Sequence, residues 1–271
     1  MPLPVIELIG LPSDCNSSFV RGPALAPPLI RAALWSDRGN LACENGMEIG
    51  RDFELRDRGD LQLLEQPEDD ALITAAVSDV IASGAVPLAL GGDHAMTHPV
   101  VRAVHAAQGP LTILHFDAHP DLYADFAGNP RSHASPFARI MEAGLARRLV
   151  QVGIRTMNAH CREQAARFGV EVFGMADFAA GQVPVLEGPL YISIDLDGID
   201  PSEAPGVSHI EPGGLTLREV LAVLRRQTAR VVGADVVEYN PRFDAHDRTA
   251  ILAAKLVREL AALIARNAGV G

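Results

Sequence analysis

The sequence contains few aromatic residues, few cysteines and no long apolar run. Only 5% of its 271 residues are Phe, Trp or Tyr, which argues against the aromatic platforms on which single-stranded nucleic acids stack. Cys15, Cys43 and Cys161 are far apart and form no Cys-x-x-Cys pair, which argues against a disulfide framework and a zinc knuckle. No run of about 18 apolar residues is present that could span a membrane, so we expect no membrane contact.

Basic residues are also few: the sequence has 23 of them and 34 acidic residues, and the formal net charge is −11. A field of this sign repels phosphate backbones and anionic membranes and attracts cations. We therefore expect no nucleic-acid partner, whereas a metal ion or a guanidinium substrate would fit. The N-terminal segment MPLPVIELIG lacks the basic stretch and the long apolar core of a signal peptide, and the sequence predicts a cytoplasmic protein.

Short apolar runs alternate with amphipathic stretches along the chain. The runs are rich in Val, Ile and Leu and show little in–out alternation, which is typical of strands buried on both faces of a parallel sheet. Seven strands are predicted in this way, at residues 5–9, 86–90, 111–116, 149–154, 170–173, 190–194 and 230–237. Helices are predicted at residues 67–82, 99–107, 139–145, 159–168, 217–227 and 249–266. This alternation predicts one α/β domain over residues 1–271, with residues 34–66 as an irregular excursion over the surface.

Four of the predicted strands are followed by acidic or histidine side chains. GGDH at 91–94 follows one strand, and DAHPD at 117–121 follows the next. Asp195 and Asp197 follow a third strand, and Glu238 follows the strand at 230–237. The carboxyl ends of parallel strands meet at one edge of a sheet, and residues two apart leaving a strand can point the same way. We therefore expect these side chains to converge.

The converging set contains four aspartates and two histidines, namely Asp117, Asp121, Asp195, Asp197, His94 and His119. A single aspartate after a strand is more often a cap or a turn former. A whole set of carboxylates packed together would repel and lose its hydration, and few basic residues lie nearby in the sequence. Two divalent ions about 3.5–4 Å apart would neutralise it and would activate a bridging water as a hydroxide nucleophile. Oxygen ligands with imidazoles and no thiolate suit Mn²⁺, with Ni²⁺ or Co²⁺ as alternatives.

In their order along the chain, GGDH, DAHPD, SIDLDGIDP and GADVVE resemble the four signature motifs of the ureohydrolase family, which comprises arginases, agmatinases and formimidoylglutamases. IGLPSD, GPALAPPLIRAAL and PGGLT extend the resemblance over nearly the whole chain. It implies an arginase-like three-layer α/β/α fold with a central, mostly parallel sheet of about eight strands. It also implies an enzyme that releases urea from a small guanidino compound, and a homo-oligomer, either a trimer or a hexamer.

The resemblance also implies a role for each ligand. Asp117 and Asp195 would bridge both ions, His94 and Asp121 would complete the shell of one ion, and His119 and Asp197 would complete that of the other. Asp93 and Asp200 are not ligands in the family and would shape the turns or support the ligands.

Three residues would then carry the reaction. Asp121 would accept a proton from the attacking hydroxide, and Glu238 would bind the substrate's guanidinium through a two-pronged pairing. His133, in the loop GNPRSH, is the candidate proton shuttle to the leaving amine, with an exposed loop histidine as the alternative. Of the remaining histidines, His115 is interpreted as a core residue and His209 as a surface or turn residue.

The sequence leaves the substrate open. Residues 122–132 form a short loop that differs from the one with which arginases hold the α-amino and α-carboxylate groups. Agmatine, arginine and guanidino acids are the candidates, and the alternatives are formimidoylglutamate hydrolysis, a deacetylase-like enzyme or a non-catalytic relative. Arg131 could meet a substrate carboxylate and Tyr123 could line the pocket, although a solvated arginine and a packing tyrosine are the simpler interpretations.

Overall fold

Eight parallel strands form the centre of the computed structural model, which describes residues 2–269. In chain order they are β1 (Val5–Leu11), β2 (Glu54–Asp60), β3 (Val86–Gly91), β4 (Leu111–Phe116), β5 (Ala146–Val152), β6 (Glu171–Phe173), β7 (Leu190–Asp195) and β8 (Val231–Val237). Across the sheet the order is β2-β1-β3-β8-β7-β4-β5-β6, and all neighbours are parallel. The predicted sheet of about eight mostly parallel strands is confirmed.

Helices cover both faces of this sheet. They are α1 (Ala26–Leu34), α2 (Asp69–Ala82), α3 (Thr97–Gln108), α4 (Pro136–Glu142), α5 (Ala159–Phe168), α6 (Leu217–Arg226) and α7 (Arg248–Asn267). Helices α1, α6 and α7 pack into the hydrophobic core on one face, and α2 to α5 into the core on the other. The predicted three-layer α/β/α architecture is therefore confirmed. Among residues 2–269, no helix combines the length and apolar composition that crossing a bilayer requires.

The central strands are apolar because both of their faces are covered. Every residue of β4, β7 and β8 is buried. Along β4, Leu114 and Phe116 belong to one core and Leu111 and Ile113 to the other. Burying one such side chain contributes about 1.5–3 kcal/mol, so the middle of the sheet is a rigid base for the segments that follow it.

Strand β2 was missed by the sequence analysis, which interpreted residues 34–66 as irregular. Its sequence, ELRDRGD, has no apolar run, and its side chains are half-buried or exposed. The strand lies at the edge of the sheet and pairs only with β1. Charged side chains are common on edge strands, where they oppose pairing with another chain, and here Arg31 of α1 binds Asp57 at 2.8 Å. Periodicity could not have revealed a strand with so little buried apolar surface.

Glu44 fastens the segment between α1 and β2 to the helices α6 and α7. Its carboxylate contacts Arg218 at 2.7 Å, Arg225, and Lys255 at 3.2 Å. Its backbone N–H donates to the Glu259 carboxylate at 2.9 Å. The hydrogen bond from Arg218, supported by Lys255 and Arg225, outweighs partial burial and lowers the pKa of Glu44 to about 2.

We predict that Glu44→Gln lowers the free energy of unfolding by about 1 kcal/mol at neutral pH, the upper range for a partly exposed ion pair. Because the folded-state pKa lies below the ordinary 4.5, this contribution is complete above pH 4.5 and is lost as the pH falls towards 2. Urea denaturation at about pH 7 and about pH 3 checks this. The difference from wild type should shrink at the lower pH, and an equal difference at both values would contradict the prediction. Glu163→Gln, at an exposed position of α5, is the matched control.

Candidate metal centre

The four central strands end beside one another and carry the predicted site residues. In sheet order these strands are β3, β8, β7 and β4. His94 comes shortly after β3, Glu238 directly follows β8, Asp195 ends β7 and Asp117 directly follows β4. Because the strands are parallel, their carboxyl ends lie at one edge of the sheet. The structure brings the predicted residues together at that edge.

His94 lies at the centre of the first group of potential ligands. Its Nδ1 is 3.3 Å from Asp117 Oδ2, 3.0 Å from Asp121 Oδ2 and 3.1 Å from Asp195 Oδ2. The histidine is fully buried, yet this nitrogen has no hydrogen-bond partner among the described residues. Its other nitrogen, Nε2, lies 3.0 Å from Ser193 Oγ. This nitrogen is buried and unpaired, and it faces three carboxylate oxygens. A cation bound by all four atoms would explain the arrangement.

A second group surrounds His119. Its Nδ1 lies 3.1 Å from Asp197 Oδ2 and 3.4 Å from Asp117 Oδ1. Asp117 belongs to both groups, one oxygen facing each, and the potential ligand atoms of a group lie within 4.8 Å of one another. This division matches the one predicted from the sequence, except that Asp195 belongs to the first group alone.

The electrostatics of the two groups fit a pair of divalent cations. No Lys or Arg of residues 2–269 forms an ion pair with any of the four aspartates. Burial, and then the charges of Asp197 and Asp117, raise the pKa of Asp195 well above its usual range. Burial also raises the pKa of Asp197 to about 6, although His119 opposes this. The shifts of Asp195 and Asp197 indicate that these two carboxylates lack positive charge, which two oxygen-seeking ions would supply.

Backbone strain supports the same assignment. Asp121 has φ 49° and Glu238 has φ 64°, and this left-handed conformation is costly for residues with a Cβ. The Asp121 carbonyl accepts a bond from the Phe137 N–H at 3.2 Å, and the Glu238 N–H donates to the Gly92 carbonyl at 2.9 Å. Strained backbone that is held by such contacts is common at functional sites, where it fixes the direction of a side chain.

The loop after β1 packs directly against the GGDH segment. A Cβ on Gly92 would lie 1.7 Å from the Ser13 carbonyl oxygen, so only glycine fits there. Asp93 accepts hydrogen bonds from the Asn16 N–H at 3.0 Å and the Ser17 hydroxyl at 3.3 Å. Asp93 therefore joins this loop to the segment that carries His94, in agreement with the supporting role implied by the resemblance.

Glu238 and His133 form a buried pair beside the ligands. Glu238 Oε1 lies 2.8 Å from His133 Nδ1 and accepts from the His94 N–H at 2.8 Å. The Ser18 N–H donates to His133 Nε2 at 3.1 Å, so that nitrogen carries no proton in this arrangement. Burial disfavours the charged imidazole, but the charge of Glu238 and its hydrogen bond raise the pKa of His133 to about 9. The charge of Glu238 thus favours the protonated ring, whereas the Ser18 N–H favours a neutral ring with an unprotonated Nε2. The direct contact determines the state shown, and Nε2 can gain a proton once it leaves the Ser18 amide.

A cavity of about 180 Å³ opens onto this pair and onto the ligands. It is lined by Ser18, His119, Pro120, Asp121, Tyr123, Phe126, His133, Ala134, Thr156, Asp195, Asp197, His209 and Glu238. Tyr123 thus lines the pocket, as one interpretation of the sequence allowed. Arg131 does not, because its guanidinium lies 2.5 Å from Asp70 Oδ1. No Lys or Arg of the described residues lines the cavity.

One histidine at the site was missed by the sequence analysis, and a second is a core residue, as interpreted, that also contacts a proposed ligand. His209, interpreted as a surface or turn residue, lines the cavity with its ring centroid 5.2 Å from that of His133. Nothing in its sequence context indicated this, because long-range folding brings it there. His115, interpreted as core, is fully buried but contacts Asp117 at 2.8 Å. The signal for it was present, since His115 precedes Asp117 by two residues on a strand.

The chain is similar to proteins of one family over most of its length. Residues 5–262 match the sequence model of the arginase family. Arginase 1, mitochondrial, from Arabidopsis thaliana is 52% identical over 96% of this chain and 81% of its own length. Agmatinase, mitochondrial, from Gallus gallus is 34% identical over 93% of this chain and 78% of its own. The solved arginase from Medicago truncatula matches with a TM-score of 0.93 and 46% identity, covering 96% of this chain and 87% of that one, which confirms the arginase-like fold.

The cytoplasmic location expected from the sequence is wrong in the light of these relatives. Several plant arginases between 47% and 52% identical to this chain are named mitochondrial or chloroplastic, which contradicts the expectation. The expectation rested on the missing features of a secretory signal. That criterion does not exclude organelles, because their transit peptides are amphipathic and lack a long apolar core.

We predict that His119→Asn and Asp197→Asn each reduce the bound metal towards one ion per chain and lower activity about 100-fold or more, because each removes a ligand from the second group. Elemental analysis after desalting measures the metal, and circular dichroism checks the fold. His105→Asn is the control, since His105 contacts the Leu145 carbonyl and belongs to neither ligand group. Unchanged metal content in both ligand variants would show that this cluster does not hold the ions.

Proposed function

The chain belongs to the arginase family and is a ureohydrolase, and we propose that it hydrolyses L-arginine to urea and L-ornithine with two bound Mn²⁺ ions. One observation carries the proposal. The two carboxylate–imidazole groups that share Asp117 lie at the same cavity as the Glu238 carboxylate and the His133 imidazole. The 52% identity to an arginase, against 34% to an agmatinase, favours arginine as the substrate.

In this proposal the six residues predicted from the sequence hold the ions, with His94, Asp121 and Asp195 on one side of Asp117 and His119 and Asp197 on the other. Bound divalent ions supply an acidified water and stabilise negative charge that develops during the reaction. Asp121 both lies in the first group and lines the cavity. It is therefore suited to accept the proton that the attacking water loses.

Glu238 would orient the guanidinium group. A carboxylate matches the two parallel N–H bonds of a guanidinium, and Glu238 is buried at the cavity wall. Glu238 belongs to neither ligand group, so its charge is left to attract a cationic head group once the ions neutralise the aspartates. When the guanidinium binds Glu238 it competes with His133 for the carboxylate, and the imidazole is then freed from one of its partners.

His133 would protonate the leaving amine. An amine must leave with a proton, because an amide anion is far too basic to depart. The Ser18 backbone and hydroxyl hold Nε2 at 3.1 and 2.8 Å in the absence of substrate. Nε2 can take up a proton when it moves away from Ser18 and can deliver it to the nitrogen that leaves.

Agmatine is the second candidate substrate. It lacks the α-carboxylate of arginine, and no Lys or Arg among the described residues lines the cavity to pair with that group. For arginine, the neutral donors of Ser18, Thr156 and Tyr123 would have to bind the carboxylate. Formimidoylglutamate fits less well, since it would bring two carboxylates into a cavity that no Lys or Arg of the described residues lines.

A screen of urea release tests the proposed substrate. We expect the protein, stripped of metal and reloaded with Mn²⁺, to act on L-arginine with a kcat/KM at least about tenfold above that for agmatine or guanidino acids, a difference of about 1.4 kcal/mol in transition-state binding. Parallel samples with Ni²⁺ and Co²⁺ identify the preferred metal, and formamide release reports on formimidoylglutamate. A preference for agmatine would select the second candidate, and full activity without metal would contradict both.

We predict that Glu238→Gln lowers kcat/KM for the preferred guanidino compound by about 100-fold, since a hydrogen bond between charged groups contributes about 1.5–3 kcal/mol. Its metal content should stay at the wild-type level, because Glu238 belongs to neither ligand group. Glu211→Gln, at a partly exposed position outside the cavity lining, is the control. Normal turnover by Glu238→Gln would mean that the guanidinium binds elsewhere.

The homo-oligomer implied by the family resemblance stays a prediction. Multi-angle light scattering of the purified protein distinguishes a trimer from a hexamer and from a monomer.

A further inference from the structure

A fully buried chain of hydrogen bonds leads from strand β5 to Asp117. The side-chain amide nitrogen of Gln151 lies 2.6 Å from the Pro120 carbonyl oxygen and 3.1 Å from His115 Nδ1. The other ring nitrogen, His115 Nε2, lies 2.8 Å from Asp117 Oδ2. Gln151, His115 and Asp117 all have 0% exposure. A buried polar group that loses its partner costs more free energy than an exposed one.

The register of the sheet creates this contact. His115 of β4 and Gln151 of β5 are direct partners across the two strands, and their side chains therefore stand side by side on one face. His115 and Asp117 are two residues apart and share that face. One pair of strands thus places the amide, the imidazole and the carboxylate in a row.

The amide of Gln151 determines which nitrogen of His115 carries the proton. The nitrogen that faces the Pro120 carbonyl must be the NH₂ group, because two carbonyl oxygens would repel each other. The same NH₂ group donates its second proton to His115 Nδ1, which is therefore an acceptor. In a neutral imidazole the remaining nitrogen, Nε2, then carries the proton and donates it to Asp117.

We propose that His115 is a positioning residue for Asp117, the carboxylate that faces both ligand groups, and that Gln151 holds His115 in the tautomer that does this. The inference rests on the proposed function in one respect, namely that metal ions occupy these groups. His115 lies close enough to His94 and Asp117 to be a potential ligand. Both of its ring nitrogens are already engaged by Gln151 and Asp117, however, and we therefore assign it to positioning.

The hydrogen bonds to Asp117 explain how positioning works. Oδ2 accepts from His115, while Oδ1 accepts from the His119 N–H at 2.6 Å. Each oxygen has two lone pairs, so one bond to each fixes the rotation of the carboxylate and leaves one lone pair on each oxygen for an ion. Oδ2 faces His94 and Oδ1 faces His119. A carboxylate held in this orientation can serve both ion positions at once.

Packing alone is the competing explanation for His115. Its ring lies against Phe137, with centroids 3.9 Å apart, and a phenyl ring would fill that space as well. Packing does not require a proton at Nε2, however, whereas positioning does. A substitution that keeps a donor near Nε2 should therefore preserve metal binding, and one that keeps only the bulk should not.

Three variants at this position separate the explanations. In His115→Gln the side-chain amide nitrogen lies near the former Nε2, whereas in His115→Asn it lies nearer the former Nδ1, and His115→Phe retains only bulk. Mn²⁺ affinity is measured on stripped protein by competition with a chelating dye, without substrate. We expect His115→Gln to stay within about threefold of wild type and the other two to bind about 10–100-fold more weakly, as loss of a supporting hydrogen bond typically causes. Excess Mn²⁺ should restore the kcat of His115→Asn.

The outcomes distinguish this inference from the proposed function. If wild type binds no Mn²⁺, the proposed function fails, and this inference with it. If wild type binds two ions and all three variants bind as tightly, or if all three lose affinity equally, positioning by His115 is overturned while the function stands. The same substitutions at His105 on α3 are the control and should leave affinity unchanged. Should the His115 variants fail to fold, Gln151→Met takes their place, since it removes the amide that fixes the tautomer; unchanged affinity in it overturns the inference.

Discussion

The mutual repulsion of four buried aspartates is the constraint on which the rest of the structure depends. Removing a carboxylate from water costs several kcal/mol, and no Lys or Arg of the described residues pairs with these four. The covered strands β4 and β7 hold the groups together because their own apolar burial outweighs that repulsion. The same negative field suits both kinds of cation that the site would receive, a metal pair and a guanidinium group.

Glu238 joins the parts of the site that perform different tasks. One of its oxygens accepts from the His94 N–H, at the first ligand group, and contacts His133, the proposed proton donor. It directly follows β8, which lies between β3, the strand before His94, and β7, the strand that ends at Asp195. A guanidinium bound to Glu238 would therefore contact the carboxylate that already faces the first ligand group and the proposed proton donor.

Much of this could be predicted from the sequence, and the failures have physical causes. The convergence of the six proposed ligands was predicted because strand ends in a parallel sheet meet at one edge and because their motifs resemble a known family. Strand β2 was missed because an edge strand buries little apolar surface. His115 is a buried, hydrogen-bonded core residue, as interpreted, but its contact with Asp117 was not foreseen. His209 was misinterpreted because only tertiary folding brings it to the cavity. Location in the cell depends on targeting rather than on folding, and so no rule about packing could decide it.

Gly92 packs so closely against the Ser13 carbonyl that the loop after β1 and the GGDH turn depend on each other. The loop after β1 belongs to the site although it contains none of the proposed ligands, because it also supplies Ser18 to His133 and Asn16 to Asp93. New chain termini opened by circular permutation within residues 13–18 would release both contacts and leave the GGDH turn unsupported. Termini opened in the exposed turn after α2 would leave the site intact. The activity of such permuted proteins would show which loops the site requires to be continuous.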